Sequence, residues 1–212
     1  GRRHFDDPGI GKRRLDLALD DQLVTRRNLA VQPNLAPDCQ LAAFAVAASR
    51  SFGTPGSARQ VDDPARRATV RADFEACNKD ALGDYSGDKA RIYAGLKLAG
   101  LDAAPVQLAV FVDKATQSGH GVGQKTMPEM LSYSVVTAVH TLWLAARAHG
   151  VGLGWVSILN PEKITTILET PPEWSLIAYL CLGYPQEEHE EPELERHGWQ
   201  GRDSAAREIL KR

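Results

Sequence analysis

The sequence predicts an α/β or α+β domain, built from alternating helices and apolar strands around a mixed sheet. Three observations carry this. Pro105–Asp113, Val151–Leu159 and Ser175–Tyr184 are β-rich apolar runs bounded by turn residues. From Ser132 to His149, Val135, Val139, Leu142, Trp143 and Ala146 recur at helical spacing. Asp63-Pro64 and Asn160-Pro161 each place a capping side chain before a proline whose missing N–H costs nothing at the first helical position.

The elements follow in order. Asp63 starts a helix that runs through Val70, Phe74 and Cys77 to about Leu82. A second start at Ser86 leads through Ile92, Leu96 and Leu98 to Gly100. The strand at 105–113 precedes a polar, Gly-rich stretch, KATQSGHGVGQK at 114–125, which reads as a mobile loop or lid. Gly150 ends the long helix, a buried strand follows at 151–159, and Asn160 caps a short helix to Leu168. The strand at 175–184 leads into an arm, 185–212, acidic at first and ending in a short basic helix. The strands lack clean alternation, which a parallel sheet buried on both faces would explain. Residues 12–60 are different: beyond a helical LDLAL they form a long, weakly patterned connection.

Composition narrows the function classes. A chain of 212 residues fits one domain, 1–212, with 20–60 atypical and 185–212 as the arm. Lys+Arg is 25 and Asp+Glu is 27, a net charge of -2, so no basic footprint marks a nucleic-acid binder. Cys39, Cys77 and Cys181 are odd in number and lack metal spacing, which argues against a disulfide framework or zinc ribbon and for a reducing cytoplasm. No run approaches the ~18 apolar residues of a membrane span.

Several residues have the chemistry of a site, and each also has an ordinary reading. Arg2-Arg3 offers guanidinium forks suited to phosphate, although a terminal arginine pair is more often solvated. His140 and His149 are nine residues apart on the long helix and form no metal pair; His120, His189 and His197 read as structural or solvated. The glycines of GVGLGW, 150–155, precede a strand, so they make no phosphate cradle; they suit close approach by another backbone or a planar ligand. Ser157 is either a buried hydroxyl bonded to backbone or one aimed from a strand end at a ligand. No G-x-S-x-G surrounds it, which excludes a hydrolase nucleophile of that type. Thr126-Met127-Pro128-Glu129 reads as a helix entry, and Trp143, Trp155 and Trp174 as core.

From about residue 86 to 202 the chain closely resembles the 5,6-dimethylbenzimidazole synthases of the flavin-dependent nitroreductase superfamily. The resemblance rests on LKLAGL at 96–101, GQKTMPEM at 123–130, YSVVTAVHTLWLAARAHGVGLGWVSIL at 133–159, AYLCLGYP at 178–185 and the arm EPELERHGW at 191–199. It extends more weakly over VDDPARRATVRADFEACN at 61–78. The arm separates this branch from general nitroreductases.

The resemblance implies an α+β fold, a nitroreductase-like mixed sheet flanked by helices with a C-terminal arm, in a cytoplasmic homodimer that binds FMN at the subunit interface. It implies that reduced FMN is the substrate. O2 fragments the ring to 5,6-dimethylbenzimidazole, the lower ligand of vitamin B12, and ribityl C1′ becomes C2 of the product. NAD(P)H acts only indirectly, through a separate flavin reductase, and no metal is implied. Ser157 matches the family's strand serine near the flavin ring, where it would steer the reaction with O2 or move a proton. Leu98 falls beside the flavin, Arg2 and Arg3 match the tail of the FMN-phosphate motif, and Arg202 adds a positive contact from the arm. The segment 114–130 would close the pocket.

Three positions depart from the pattern. The family's catalytic aspartate falls just ahead of Arg2, and Asp6 and Asp7 do not match it. The family's flavin-binding stretch before residue 61 has no counterpart in 20–60, as in a divergent or frameshifted segment. Leu131-Ser132 replaces an acidic-then-leucine pair after TMPEM. Two rival functions follow: an FMN-dependent nitroreductase-type oxidoreductase, and a catalytically impaired flavin-binding homologue.

Overall fold

Among the described residues, four strands form one sheet because their apolar residues have helices to bury against on both sides. The computed structural model describes residues 56–95 and 98–201. The elements are β1 (Gly56–Gln60), α1 (Pro64–Leu82), α2 (Gly87–Gly95), α3 (Gly100–Ala103), β2 (Val106–Asp113), α4 (Met130–Ala148), β3 (Gly152–Val156), α5 (Pro161–Ile167), β4 (Trp174–Gly183) and α6 (Glu193–Arg196). A 3-10 turn at Ser118–Gly121 lies in the loop before α4.

The strand order is β1-β2-β4-β3, and every described pairing is antiparallel. The expectation of a parallel sheet is corrected for these strands, and the reason is instructive. Their unbroken apolar character comes from burial on both faces, which antiparallel strands share when helices cover each side. Val106, Leu108, Val110 and Val112 pack with Leu180 and Leu182 under Val135, Val139, Leu142 and Ala146 of α4. Ala109, Phe111, Tyr179 and Cys181 point the other way, toward Val70 and Phe74 of α1, Leu101 of α3 and Ile164 of α5. A bulge between Val110 and Phe111 shifts the register against β4. It swaps the parity of β4, so Leu176 joins the α1/α3/α5 side and Ile177 the α4 side.

Capping follows the sequence closely. The Asp63 carboxylate accepts the Ala65 N–H at 2.9 Å at the start of α1. The Asn160 side chain accepts the Glu162 and Lys163 N–H groups at 3.0 Å each at the start of α5. Gly150, φ 71°, takes the left-handed conformation that ends α4. Helix α2 is described to Gly95, and a separate helical turn, α3, begins at the expected end, Gly100. β1 arises in the weakly patterned region.

Polar contacts tie one side of the sheet together. Arg67 of α1 donates to the carbonyls of Val61 (2.6 Å), Ala104 (3.3 Å) and Pro105 (2.9 Å). It thereby joins the exits of β1 and α3. Inside the same layer the Tyr179 hydroxyl donates to Gln107 Oε1 at 2.6 Å, and Gln107 Nε2 donates to the Leu101 carbonyl at 2.9 Å. The arm folds back on α2: Trp199 packs edge-on against Tyr85, and Lys89 sits 4.7 Å above its ring while donating to the Trp199 carbonyl.

Candidate active site

The end of β3 is the point where buried structure delivers exposed chemistry. β3 pairs with β4 and has no second partner among the described strands. The three glycines of 150–154, two of them in β3, sit in three different settings. Gly150 supplies the positive φ of the helix end. A Cβ at Gly152 would press to 3.3 Å on the Gly183 carbonyl. Gly154 needs neither: its φ is ordinary, and a Cβ there would meet nothing nearer than the Cys181 carbonyl at 4.0 Å. A glycine weakens a strand interior. The space above exposed Gly154 is clear.

Next along the strand, Trp155 is 37% exposed. It is not a core residue, nor is Trp143 at 42% exposed, and both expectations are corrected. Trp155 shares the face of buried Leu153 but is left uncovered at the strand's end, and Trp143 is exposed on the surface of α4. Trp174 does pack against the core, beside Phe111.

β3 ends at Val156, so Ser157 lies just beyond the strand and not within it. Its side chain is exposed. The reading of a buried hydroxyl gives way to that of a hydroxyl displayed at a strand end. The neighbours explain the display. Val156 and Leu159 are buried, and Ile158 packs against the same cluster. Ser157 alone of this short run faces out. Leu98 is half-buried against the same α1/α3/α5 cluster, so both described candidates rest on one body of core. The turn bearing Leu98 is held by the Leu101 N–H bond to its carbonyl, 3.1 Å, and through Leu101 to Gln107 and Tyr179. Burial raises the Tyr179 hydroxyl well above its ordinary value and pushes the Cys181 thiol up to about 12, so both stay neutral. Arg2, Arg3 and Arg202 lie outside the described residues.

The loop before α4 starts where the Lys114 N–H bonds the Glu173 carbonyl at 3.1 Å. Gly119, His120, Gly121 and Gly123 all have positive φ, and Val122 is 86% exposed. A surface cavity of about 490 Å³ lies under it, lined by Lys114, Gln124, Glu129 and Ser132 among others. Sequence reasoning missed the outer face of α4. Met130, Tyr133, Val136, Trp143 and Leu144 are exposed there, from the flank of the buried stripe round to its far side. The signal was present, since a helix apolar all round has two faces to cover. His189 and His197 are exposed beside Glu187 (3.0 Å) and Glu193 (3.8 Å). Among the described residues no cluster of His, Cys, Asp or Glu has the makings of a metal site. None of the described helices is long and apolar enough to cross a membrane.

The Nitroreductase family model matches residues 41–184. The chain belongs to the nitroreductase family. It is 57% identical over 143 residues to a Rhodospirillum rubrum protein named 5,6-dimethylbenzimidazole synthase, covering 68% of each chain. A Rhodobacter capsulatus protein of the same name is 48% identical over 141 residues, 66% of this chain and 68% of that one. Among solved structures, oxidized iodotyrosine deiodinase bound to FMN and 3-iodo-L-tyrosine aligns with a TM-score of 0.56 at 19% identity, covering 91% of this chain and 88% of that one. A BluB-like flavoprotein from Clostridium difficile 630 aligns with a TM-score of 0.53 at 19% identity, covering 70% and 83%. These two structures bear on the fold alone. They agree with the α+β class expected from the sequence. In this nitroreductase-family chain the matched stretch includes β1, the loop before α4 and the exposed end of β3.

Proposed function

We propose that this chain is a 5,6-dimethylbenzimidazole synthase, which uses O2 to fragment reduced FMN. The observation that carries the reading is the exposed end of β3, with the clear space over Gly154 next to the displayed Ser157, in a chain so similar to proteins of that name. These residues suit a flavin. An isoalloxazine has a flat apolar face and a polar edge; Gly154 leaves room for the face, Leu98 offers an apolar wall, and Ser157 offers a hydroxyl to the edge. When bound and reduced, FMN supplies the electrons for O2 and the carbon framework of the product.

The chain's own residues do the rest. The Ser157 hydroxyl donates or accepts a hydrogen bond at the ring edge and holds the proton whose position directs the outcome. The segment 114–130 excludes water when it closes, which strengthens each polar contact inside. Arg2, Arg3 and Arg202 hold the phosphate by charge-assisted hydrogen bonds. The exposed apolar face of α4 docks a second copy, making a homodimer with the flavin at its interface. A separate flavin reductase, driven by NAD(P)H, supplies the reduced flavin.

The test incubates the protein with FMN, NAD(P)H, a flavin reductase and O2 and assays for 5,6-dimethylbenzimidazole. Its appearance, with loss of FMN, is the expected result. Intact FMN together with direct NAD(P)H-dependent reduction of a nitroaromatic would replace this reading with an ordinary flavin oxidoreductase.

A further inference from the structure

The geometry assigns Asp73 a positioning role: its buried carboxylate fixes the turn that displays Ser157. This inference rests on the functional reading above and names a residue that reading does not use. Asp73 lies on α1, far from Ser157 in sequence, and its side chain is only 3% exposed. Oδ2 accepts the backbone N–H of Asn160 at 2.8 Å. Oδ1 has no hydrogen bond among the described residues and faces the Lys163 ammonium at 3.2 Å. A buried charge is costly unless it is paired, so a carboxylate kept here needs a reason beyond packing.

The reason lies in what the bond spans. Val156 is fixed by its register opposite Tyr179. Asn160 is fixed twice, by Asp73 at its backbone and by its own capping bonds into α5. Ser157 sits between these two anchors, so its direction depends on both. An uncharged acceptor would satisfy the Asn160 N–H, whereas a carboxylate tied to Lys163 holds it with a stiffer, charge-assisted bond. A cavity of about 660 Å³ lined by Asp73, Asn160 and Lys163 lies alongside. Water can enter there when the carboxylate is removed, so the loss is of direction more than of an amide's partner. Displacement by about 1 Å at a reacting group costs on the order of 100-fold.

The experiment is a single turnover with protein in excess over reduced FMN, followed by an O2 pulse. It reads the fraction of flavin converted to 5,6-dimethylbenzimidazole against the fraction returned as oxidised FMN. Asp73→Ala lowers the product fraction about tenfold or more, with FMN affinity within about twofold. Asp73→Asn, whose amide oxygen still accepts the Asn160 N–H but loses the pairing with the Lys163 charge, restores part of it. Adding Asp73→Ala to Ser157→Ala costs nothing further, because one acts through the other. Val70→Ala, a core truncation on the same helix, lowers the melting temperature and leaves the product fraction unchanged. If Asp73→Ala does not fold, Lys163→Met on the exposed partner serves, and its product fraction falls severalfold. A wild-type product fraction in Asp73→Ala, or in Lys163→Met where Asp73→Ala does not fold, overturns the role of Asp73 alone. Wild-type protein that forms no product overturns the functional reading, and this one with it.

Discussion

The two faces of the sheet are built on different principles. The α1/α3/α5 side holds both buried polar residues described, Asp73 and Gln107, and the three-carbonyl grip of Arg67. The α4 side is an apolar cluster throughout. Yet it is α4 whose outer surface stays apolar and exposed. Buried polar groups specify position; apolar surface specifies only that something covers it. The first face is suited to aiming Ser157 and Leu98, and the second to receiving a second copy.

Several measurements break or sharpen this contrast. The largest effect belongs to Ser157→Ala, which lowers product formation by about 100-fold or more while FMN still binds, read by chromatography of single-turnover mixtures. Next comes Trp143→Glu with Leu144→Glu on the outer face of α4. Sedimentation shows a monomer, and FMN affinity falls at least about tenfold, with helicity unchanged because neither residue belongs to the buried stripe. Gly154→Val raises the FMN dissociation constant about tenfold and leaves the melting temperature unchanged or higher, since the strand gains a β-branched residue whose Cβ meets nothing nearer than the Cys181 carbonyl at 4.0 Å. Calorimetry beside titration separates the two. Arg67→Ala tests the polar side and costs about 2–3 kcal/mol in urea unfolding, as charge-assisted hydrogen bonds are lost.

The smallest effect is one of pH. Burial raises the Cys181 thiol from 9.0 to about 12. The unfolded chain therefore releases this proton first as pH rises. Stability from this group is intact below about pH 9 and declines between about 9 and 12. Unfolding curves across that range show the decline, and Cys181→Ala removes the thiol's share of it, leaving that of the Tyr179 hydroxyl, which burial also raises.

The helices were legible because their signals are local. Asp63-Pro64, Asn160-Pro161 and Gly150 act through bonds within a few residues, and each does what its type dictates. Strand direction was not legible. Apolar runs such as 106–112 report burial on both faces, and parallel and antiparallel sheets produce the same run. β1 escaped notice because Gly-Ser-Ala-Arg-Gln carries little strand character, and pairing with β2 imposes its shape. Ser157 was half legible: the resemblance pointed to it, but its exposure depends on Val156 and Leu159 turning inward. Asp73 was invisible, since its bond to Asn160 joins residues far apart in the chain.

The most direct test of the central claim uses FMN carrying a label at ribityl C1′. Reduced by a flavin reductase and exposed to O2 with this protein, it should yield 5,6-dimethylbenzimidazole labelled at C2, in proportion to the flavin consumed. Label recovered wholly in intact FMN would contradict the claim.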